Sequence, residues 1–182
     1  MNRFAVIAPA DLASASRELA KPDNAALAGG VDLIDLLKQN IVAPNTLVNL
    51  KGLKGLDAIE ADAGGGLRIG ALVKLHALAT HPIVHAKYAA LADSANEAAT
   101  PQIRNLATVG GNLLQRPRCW YFRNPDVHCL KKGGDRCYAV GGLNRYHAIL
   151  GGGPSFIVHP SNLAPALIAL GARVKLVGSA GA

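Results

Sequence analysis

The sequence predicts an α/β protein. Its apolar residues are short: half the chain is hydrophobic, yet only 4% is aromatic and there are 20 glycines, a composition that suits strands and helices packed closely. The first fifty residues alternate strand-like and helix-like patterns, and apolar–polar alternation around the glycines at 64–66 marks an antiparallel hairpin after them.

The elements follow in order. FAVIA at 4–8 reads as a short buried strand, and Asp11 is placed to cap an Ala/Leu-rich helix ending near Lys21-Pro22. A strand over about 25–28 runs into Ala28-Gly29-Gly30. VDLIDLLKQN then opens a helix directly after the glycines, with Val31, Ile34 and Leu37 on one face. TLVNL at 46–50 completes a β-α-β-α-β run, so a small, mostly parallel sheet is expected. LDAIEADAGGGLRIGALV is the hairpin. KLHALATHPIVHAKYAALADSANEAA reads as one or two helices interrupted at Pro82. ATVGGNLL at 107–114 reads as a strand leading to a second Gly-Gly pair. The chain closes with a helix from about 161, a strand from about 172 and the tail GSAGA. A final strand with nothing behind it to pair with is the pattern of a fragment.

A chain of 182 residues fits one domain or two small subdomains and can bury a core. It has no apolar run of membrane-spanning length, and its N-terminus lacks the shape of a secretory signal. The net charge of +7 is uneven: residues 1–100 carry 9 Lys/Arg against 10 Asp/Glu, residues 101–182 carry 10 against 2. Such a patch suits phosphate, nucleic acid, an acidic partner or a negatively charged cofactor, and charge alone does not choose among them.

Two motifs carry chemistry. Gly-Gly between a strand and a helix lets backbone amides approach an anion at the positive end of the helix dipole; a tight turn without a ligand is the plain alternative. AGGVDLIDLLK has that layout but is not a G-x-G-x-x-G fingerprint, which argues against a Rossmann site. A second pair, ATVGGN, adds Thr108 and Asn112 as polar side chains, and two such loops suit a dinucleotide between two α/β lobes.

The second motif is CWYFRNPDVHCLKKGGDRC, which holds all three cysteines, Cys119, Cys129 and Cys137, and the only tryptophan. The spacing lacks the close pairs of zinc sites, and a disulfide would leave one thiol over. The segment is too polar and Gly-rich to be core. Trp120, Tyr121 and Phe122 with the flanking basic residues could stack on and neutralise a nucleic acid. Thiolates on an irregular, basic loop also meet most requirements of an iron–sulfur cluster.

AGGVDLIDLLK, LRIGALVKLHALATHP, ATPQIRNLATVGGNLLQRPRC and HPSNLAPALIALGA together resemble the FAD-binding subunit of the molybdenum hydroxylases, the xanthine dehydrogenase family. The resemblance implies a two-lobed FAD-binding fold of the vanillyl-alcohol-oxidase type: residues 1–54 as a small parallel lobe and 55–182 as a larger, incomplete mixed lobe. It implies that Leu27, Ala28, Gly29, Gly30, Val31, Asp32, Leu33 and Ile34 cradle the FAD pyrophosphate, and that Thr108, Gly110, Gly111 and Asn112 line it from the other lobe. Asn162 stands where the family often has an acid near the ribose. Family members continue beyond this chain's end.

An insertion over about 116–155 looks like the one that carries an extra four-iron (4Fe-4S) cluster in bacterial aldehyde oxidoreductases. The resemblance implies Cys119, Cys129 and Cys137 as ligands, with Ser155 where the fourth cysteine would fall and His147, His159, His128 or Asp126 as substitutes. The implied function is an electron-transfer flavoprotein subunit. Its partners would be a large subunit with the molybdenum cofactor, where an aldehyde or heterocycle is oxidised, and a small subunit with two-iron clusters. No catalytic acid or base, no nucleic acid and no membrane span are expected. The expected location is the cytoplasm, or the periplasm through a partner's export signal. The alternatives are a metal-dependent nucleic-acid-binding module and a stand-alone flavin reductase on the same fold.

Overall fold

The computed structural model describes residues 1–178. The elements in chain order are β1 (Ala5–Ile7), α1 (Leu12–Leu19), β2 (Asn24–Leu27), α2 (Val31–Lys38), β3 (Thr46–Asn49), β4 (Ile59–Ala61) and β5 (Leu67–Ile69). Then come α3 (Leu75–Thr80), α4 (Pro82–Lys87), α5 (Ala89–Asn96), α6 (Pro101–Arg104), α7 (Val109–Leu113), α8 (Trp120–Arg123) and α9 (Leu163–Ala169). They fall into two compact units. The larger takes residues 3–31, 44–114 and 161 onward; the smaller takes 1–2, 32–43 and 115–160.

In the larger unit, β3 is the centre of a three-stranded parallel sheet of order β1-β3-β2, with Thr46 opposite both Ala5 and Asn24. Its Leu47 and Val48 are buried, as a central parallel strand requires. Asp11 caps α1 as expected: its carboxylate accepts the Ser14 N–H at 2.7 Å while the Ser14 hydroxyl oxygen accepts the Asp11 N–H, a reciprocal capping box. β4 and β5 pair antiparallel, Ile59 opposite Ile69. The parallel sheet lies wholly before residue 55 and the antiparallel pair wholly after it.

Leu75, Leu78, Val84 and Leu163 form the heart of this unit's core, with Ala92 and Ala95 of α5 among them. The stretch expected as one or two helices is three. His81 is at once the C-cap of α3 and the N-cap of α4, in extended conformation, because Pro82 forces the residue before it out of the helical region and then opens the next helix. A second break falls at Tyr88.

Several expectations are corrected. FAVIA forms a strand but not a buried one: β1 is at the edge of the sheet, with Ala5 and Val6 exposed and Ile7 half-buried. ATVGGNLL is not a strand: only Thr108 makes a bridge, to Lys74, and α7 begins at Val109 because the Thr108 hydroxyl accepts the Gly111 N–H at 3.1 Å. Residues 172–177 form no strand, since no ladder partner exists for them among the described residues; most of the tail GSAGA lies outside the described residues. The Val31, Ile34, Leu37 stripe is not the buried face of α2: Val31 and Ile34 are exposed, and Leu36 and Leu37 are buried.

The smaller unit explains that last shift. Leu36 packs with Phe122 and Cys129 in a small core flanked by Ile41, Val42, Val127 and Tyr138. The cysteine segment is therefore partly core, contrary to its polar composition, because Phe122 and Cys129 turn inward while Asn124, Asp126 and His128 between them turn out. Three buried side chains contribute roughly 1.5–3 kcal/mol each, a thin core. Ion pairs supplement it: Arg123 bonds Asp32 and Asp35, each at 2.8 Å, with the Arg123 and Asp32 side chains only 12% and 13% exposed. The α2 helix ends in Asn40 at φ 54, a left-handed position that Asn tolerates.

Candidate functional site

The larger unit holds both Gly-Gly loops, and they touch. Gly29 follows β2 and abuts the backbone of Leu106 and Ala107, just ahead of the second loop; a Cβ there would overlap the Leu106 carbonyl oxygen. Gly30 has φ 77, a left-handed conformation that turns the chain from β2 into α2. Gly29 is thus required by close approach and Gly30 by backbone geometry. Among the described residues the amides of both glycines donate to no protein acceptor. Half-buried, unpaired amides ahead of a helix are donors available to an anion.

The second loop is built differently. Val109 and Gly110 donate to the carbonyls of Val73 and Ala71 at 2.9 and 2.8 Å, Gly111 to the Thr108 hydroxyl and Asn112 to the Thr108 carbonyl. Its amides are engaged, and Thr108 and Asn112 are buried. The Asn112 side chain faces the protein: its Oδ1 accepts the Ser161 hydroxyl at 2.6 Å and the Leu163 N–H at 3.3 Å, tying α7 to the start of α9. Gly110 packs on Ala71, and Gly111 is exposed. Asn162 is exposed and makes no side-chain cap at α9. Leu27 and Ala28 are half-buried at the end of β2.

Lys74, which the sequence did not single out, stands at this junction. Its ammonium donates to the Leu106 carbonyl at 3.1 Å, beside Gly29. Burial, and then the positive charge of Lys51, hold its pKa below the usual lysine value. Nothing in LVKLHAL marks this lysine, because its place depends on the Lys74–Thr108 bridge.

In the smaller unit, Asp32 spends its carboxylate on the insertion. It accepts the Arg116 N–H at 2.8 Å and pairs with Arg118 at 3.0 Å and Arg123 at 2.8 Å. Its side chain is a clamp, so a phosphate could use Asp32 only through its backbone. The same pairs engage Arg118 and Arg123, two of the seven basic residues from Arg116 to Arg145. Arg116 also lies over the Phe122 ring, 5.1 Å from its centroid. Phe122 is 1% exposed and the Tyr121 hydroxyl accepts the Leu143 N–H, so of the expected base-stacking aromatics only Trp120 is open. Both facts weaken a nucleic-acid face.

Cys119, Cys129, Cys137 and Ser155 line one small pocket, together with Tyr121, Lys131 and Tyr138. All three cysteines are free thiols, and no carboxylate or imidazole is among the lining residues. Among the described residues no group of three or more His, Cys, Asp or Glu is placed to hold a metal ion, so the expected cysteine set is not assembled as a single-ion site. Of the expected substitutes, His128, Asp126 and His159 are exposed, whereas His147 is buried with its Nε2 3.1 Å from Cys119 Sγ.

Comparison with known proteins bears on the flavin site. The family model described as the FAD binding domain in molybdopterin dehydrogenase matches residues 2–182. The chain is 42% identical over 171 residues to the aldehyde oxidoreductase FAD-binding subunit PaoB of Escherichia coli K12, covering 93% of this chain and 53% of that protein. It is 33% identical over 113 residues to the carbon monoxide dehydrogenase medium chain of Hydrogenophaga pseudoflava, covering 61% of this chain and 39% of that one. Among solved structures, carbon monoxide dehydrogenase from the same organism superposes with a TM-score of 0.58 at 33% identity, over 61% of this chain and 39% of that one. Quinoline 2-oxidoreductase from Pseudomonas putida 86 superposes with a TM-score of 0.58 at 34% identity, over 62% and 39%. The chain therefore spans about half the length, or less, of the relatives it matches.

Proposed function

Because the chain belongs to the family of FAD-binding domains of molybdopterin dehydrogenases, we propose that it is the flavin-holding part of an electron-transfer subunit in a molybdenum-containing aldehyde or heterocycle oxidoreductase, and that its insertion carries an iron–sulfur cluster. The partners in this reading are a large subunit that oxidises the substrate and a small subunit with two-iron clusters. Residues 1–54 and 55–182 act as the two lobes of the flavin fold. The complex works in the cytoplasm, or in the periplasm when a partner supplies the export signal; cell fractionation distinguishes the two. No helix among the described residues is long and apolar enough to cross a membrane.

The junction of the Gly-Gly loops supports FAD. The unpaired amides of Gly29 and Gly30 would hold the pyrophosphate, with Lys74 adding positive charge beside them, while the second loop, its own amides engaged, fixes the first in place through Leu106. Bound FAD supplies the two-electron to one-electron conversion; this chain's residues bind and orient it and serve as neither acid nor base.

The observation that carries the cluster reading is the convergence of three free thiols and one hydroxyl on a single pocket. Zinc draws its donors to within about 2.3 Å of one point, which this set does not offer. A cluster spaces its thiolates around a larger body, and Lys131 in the wall would offset its charge. The match to PaoB leaves only about a dozen residues uncovered, so it takes in most of the insertion, whereas the match to the carbon monoxide dehydrogenase medium chain covers a smaller share. In this reading Cys119, Cys129 and Cys137 ligate iron and Ser155, as an alkoxide, takes the fourth position.

Anaerobic purification of the chain with its partner subunits, followed by flavin extraction and metal analysis, tests the proposal. FAD together with iron is expected. Zinc without flavin would instead point to a nucleic-acid module, and flavin with neither iron nor partners to a stand-alone reductase.

A further inference from the structure

His147 lies in the stretch GLNRYHAILGG and has no part in the flavin site. It is 8% exposed, and its Nε2 is 3.1 Å from Cys119 Sγ. The ring is fixed on two sides, by the edge of Trp120 with centroids 5.2 Å apart and by Tyr121 at 6.3 Å. The His147 backbone N–H donates to the Asn144 carbonyl at 2.9 Å, and the Ala148 N–H donates to the Phe156 carbonyl, so the backbone beneath the ring is held as well. Nδ1 is buried with no hydrogen-bond partner among the described residues.

With Cys119 as a thiolate ligand, as the cluster reading has it, the sulfur is an acceptor only, so the ring nitrogen that faces it carries the proton and the unpartnered Nδ1 is left as a bare lone pair in place of a stranded N–H. His147 does not line the cavity that Cys119, Cys129, Cys137 and Ser155 share. It reaches that cavity only through the Cys119 sulfur.

We propose that His147 is a positioning residue for the cluster site: its Nε2–H donates to the Cys119 thiolate, orients that ligand and raises the reduction potential of the iron–sulfur group it holds. The inference rests on the cluster reading above. An N–H donor on a ligating sulfur draws charge away from the metal and favours the reduced form, and hydrogen bonds to sulfur are one of the protein's main means of setting such potentials. The arrangement also separates His147 from the role of fourth ligand, which falls to Ser155 on the cavity wall.

The test compares the anaerobic complex of the parent chain with His147→Phe, which keeps a ring and removes the donor, and His147→Gln, whose amide can restore an N–H toward the sulfur. Iron and FAD contents are measured for each, and the cluster potential is read by a redox titration followed by low-temperature EPR. The expected result is iron and FAD retained in all three, a more negative potential in His147→Phe, and a return toward the parent value in His147→Gln. An unmoved potential in His147→Phe with iron retained overturns the proposal. So does loss of iron from both variants, the outcome expected if His147 were a ligand or only structural. A parent complex with FAD but no iron overturns it together with the cluster reading and leaves the flavin assignment intact.

Discussion

Gly29 and Gly30 are adjacent and identical, yet they are required for different reasons, and substitution separates them. Alanine at Gly29 drives a methyl into the Leu106 carbonyl, a backbone atom that cannot swing aside. Overpacking of this kind costs about 1–3 kcal/mol, so Gly29→Ala should lower the urea midpoint clearly. Gly52→Ala, with open space around the added carbon, should not. Asn112 offers a second test. Asn112→Ala removes the acceptor for the Ser161 O–H and the Leu163 N–H, at a cost of about 2 kcal/mol, while Asn112→Asp keeps an acceptor and should retain more stability. Lys74 gives a pH signature. Its folded pKa is lowered, so between the folded and unfolded values the unfolded chain binds more protons and stability rises with pH. Urea midpoints collected in the alkaline range below 10.5 should rise for the parent and stay flatter for Lys74→Met. Ser155→Cys, which supplies a fourth thiolate, should raise the iron retained per chain through aerobic purification; equal retention would place Ser155 outside the ligand set.

Most elements were legible because their signals are local. The Asp11 capping box, the Pro82 break and the Gly-turned hairpin each depend on residues within a few positions of one another. ATVGGNLL misled because β-branched residues before glycines read as a strand, whereas a single hydroxyl bond from Thr108 starts a helix there. The face of α2 misled for the opposite reason. Its 3.6-residue period places Val31, Ile34 and Leu37 together, but the partners that decide burial, Phe122 and Cys129, lie some ninety residues away in sequence and left no trace in the helix. In the site, the cysteines and glycines announced themselves by type and clustering. Lys74 did not, since a bridge brings it into place, and His147 was one of four candidate substitutes that only its contact with Cys119 separates from the others. The Asp32 and Asp35 pairs with Arg123 should hold α2 to the insertion. Arg123→Met is expected to speed amide exchange in residues 32–43 and 115–130 while leaving α3–α5 unchanged; uniform exchange across both sets would argue against two separate units.

At the scale of the whole molecule, the larger unit contains both Gly-Gly loops and the smaller contains the three thiols, so the two proposed cofactors draw on different units. That division predicts that the cofactors can be removed independently. Native mass spectrometry of the anaerobically prepared chain tests this most directly, by comparing the parent with the triple variant Cys119→Ser, Cys129→Ser, Cys137→Ser. The account predicts a parent that carries the masses of FAD and of an iron–sulfur cluster, and a variant that keeps FAD and loses the cluster. A parent that carries FAD alone, or a variant that loses FAD along with its thiols, would contradict it.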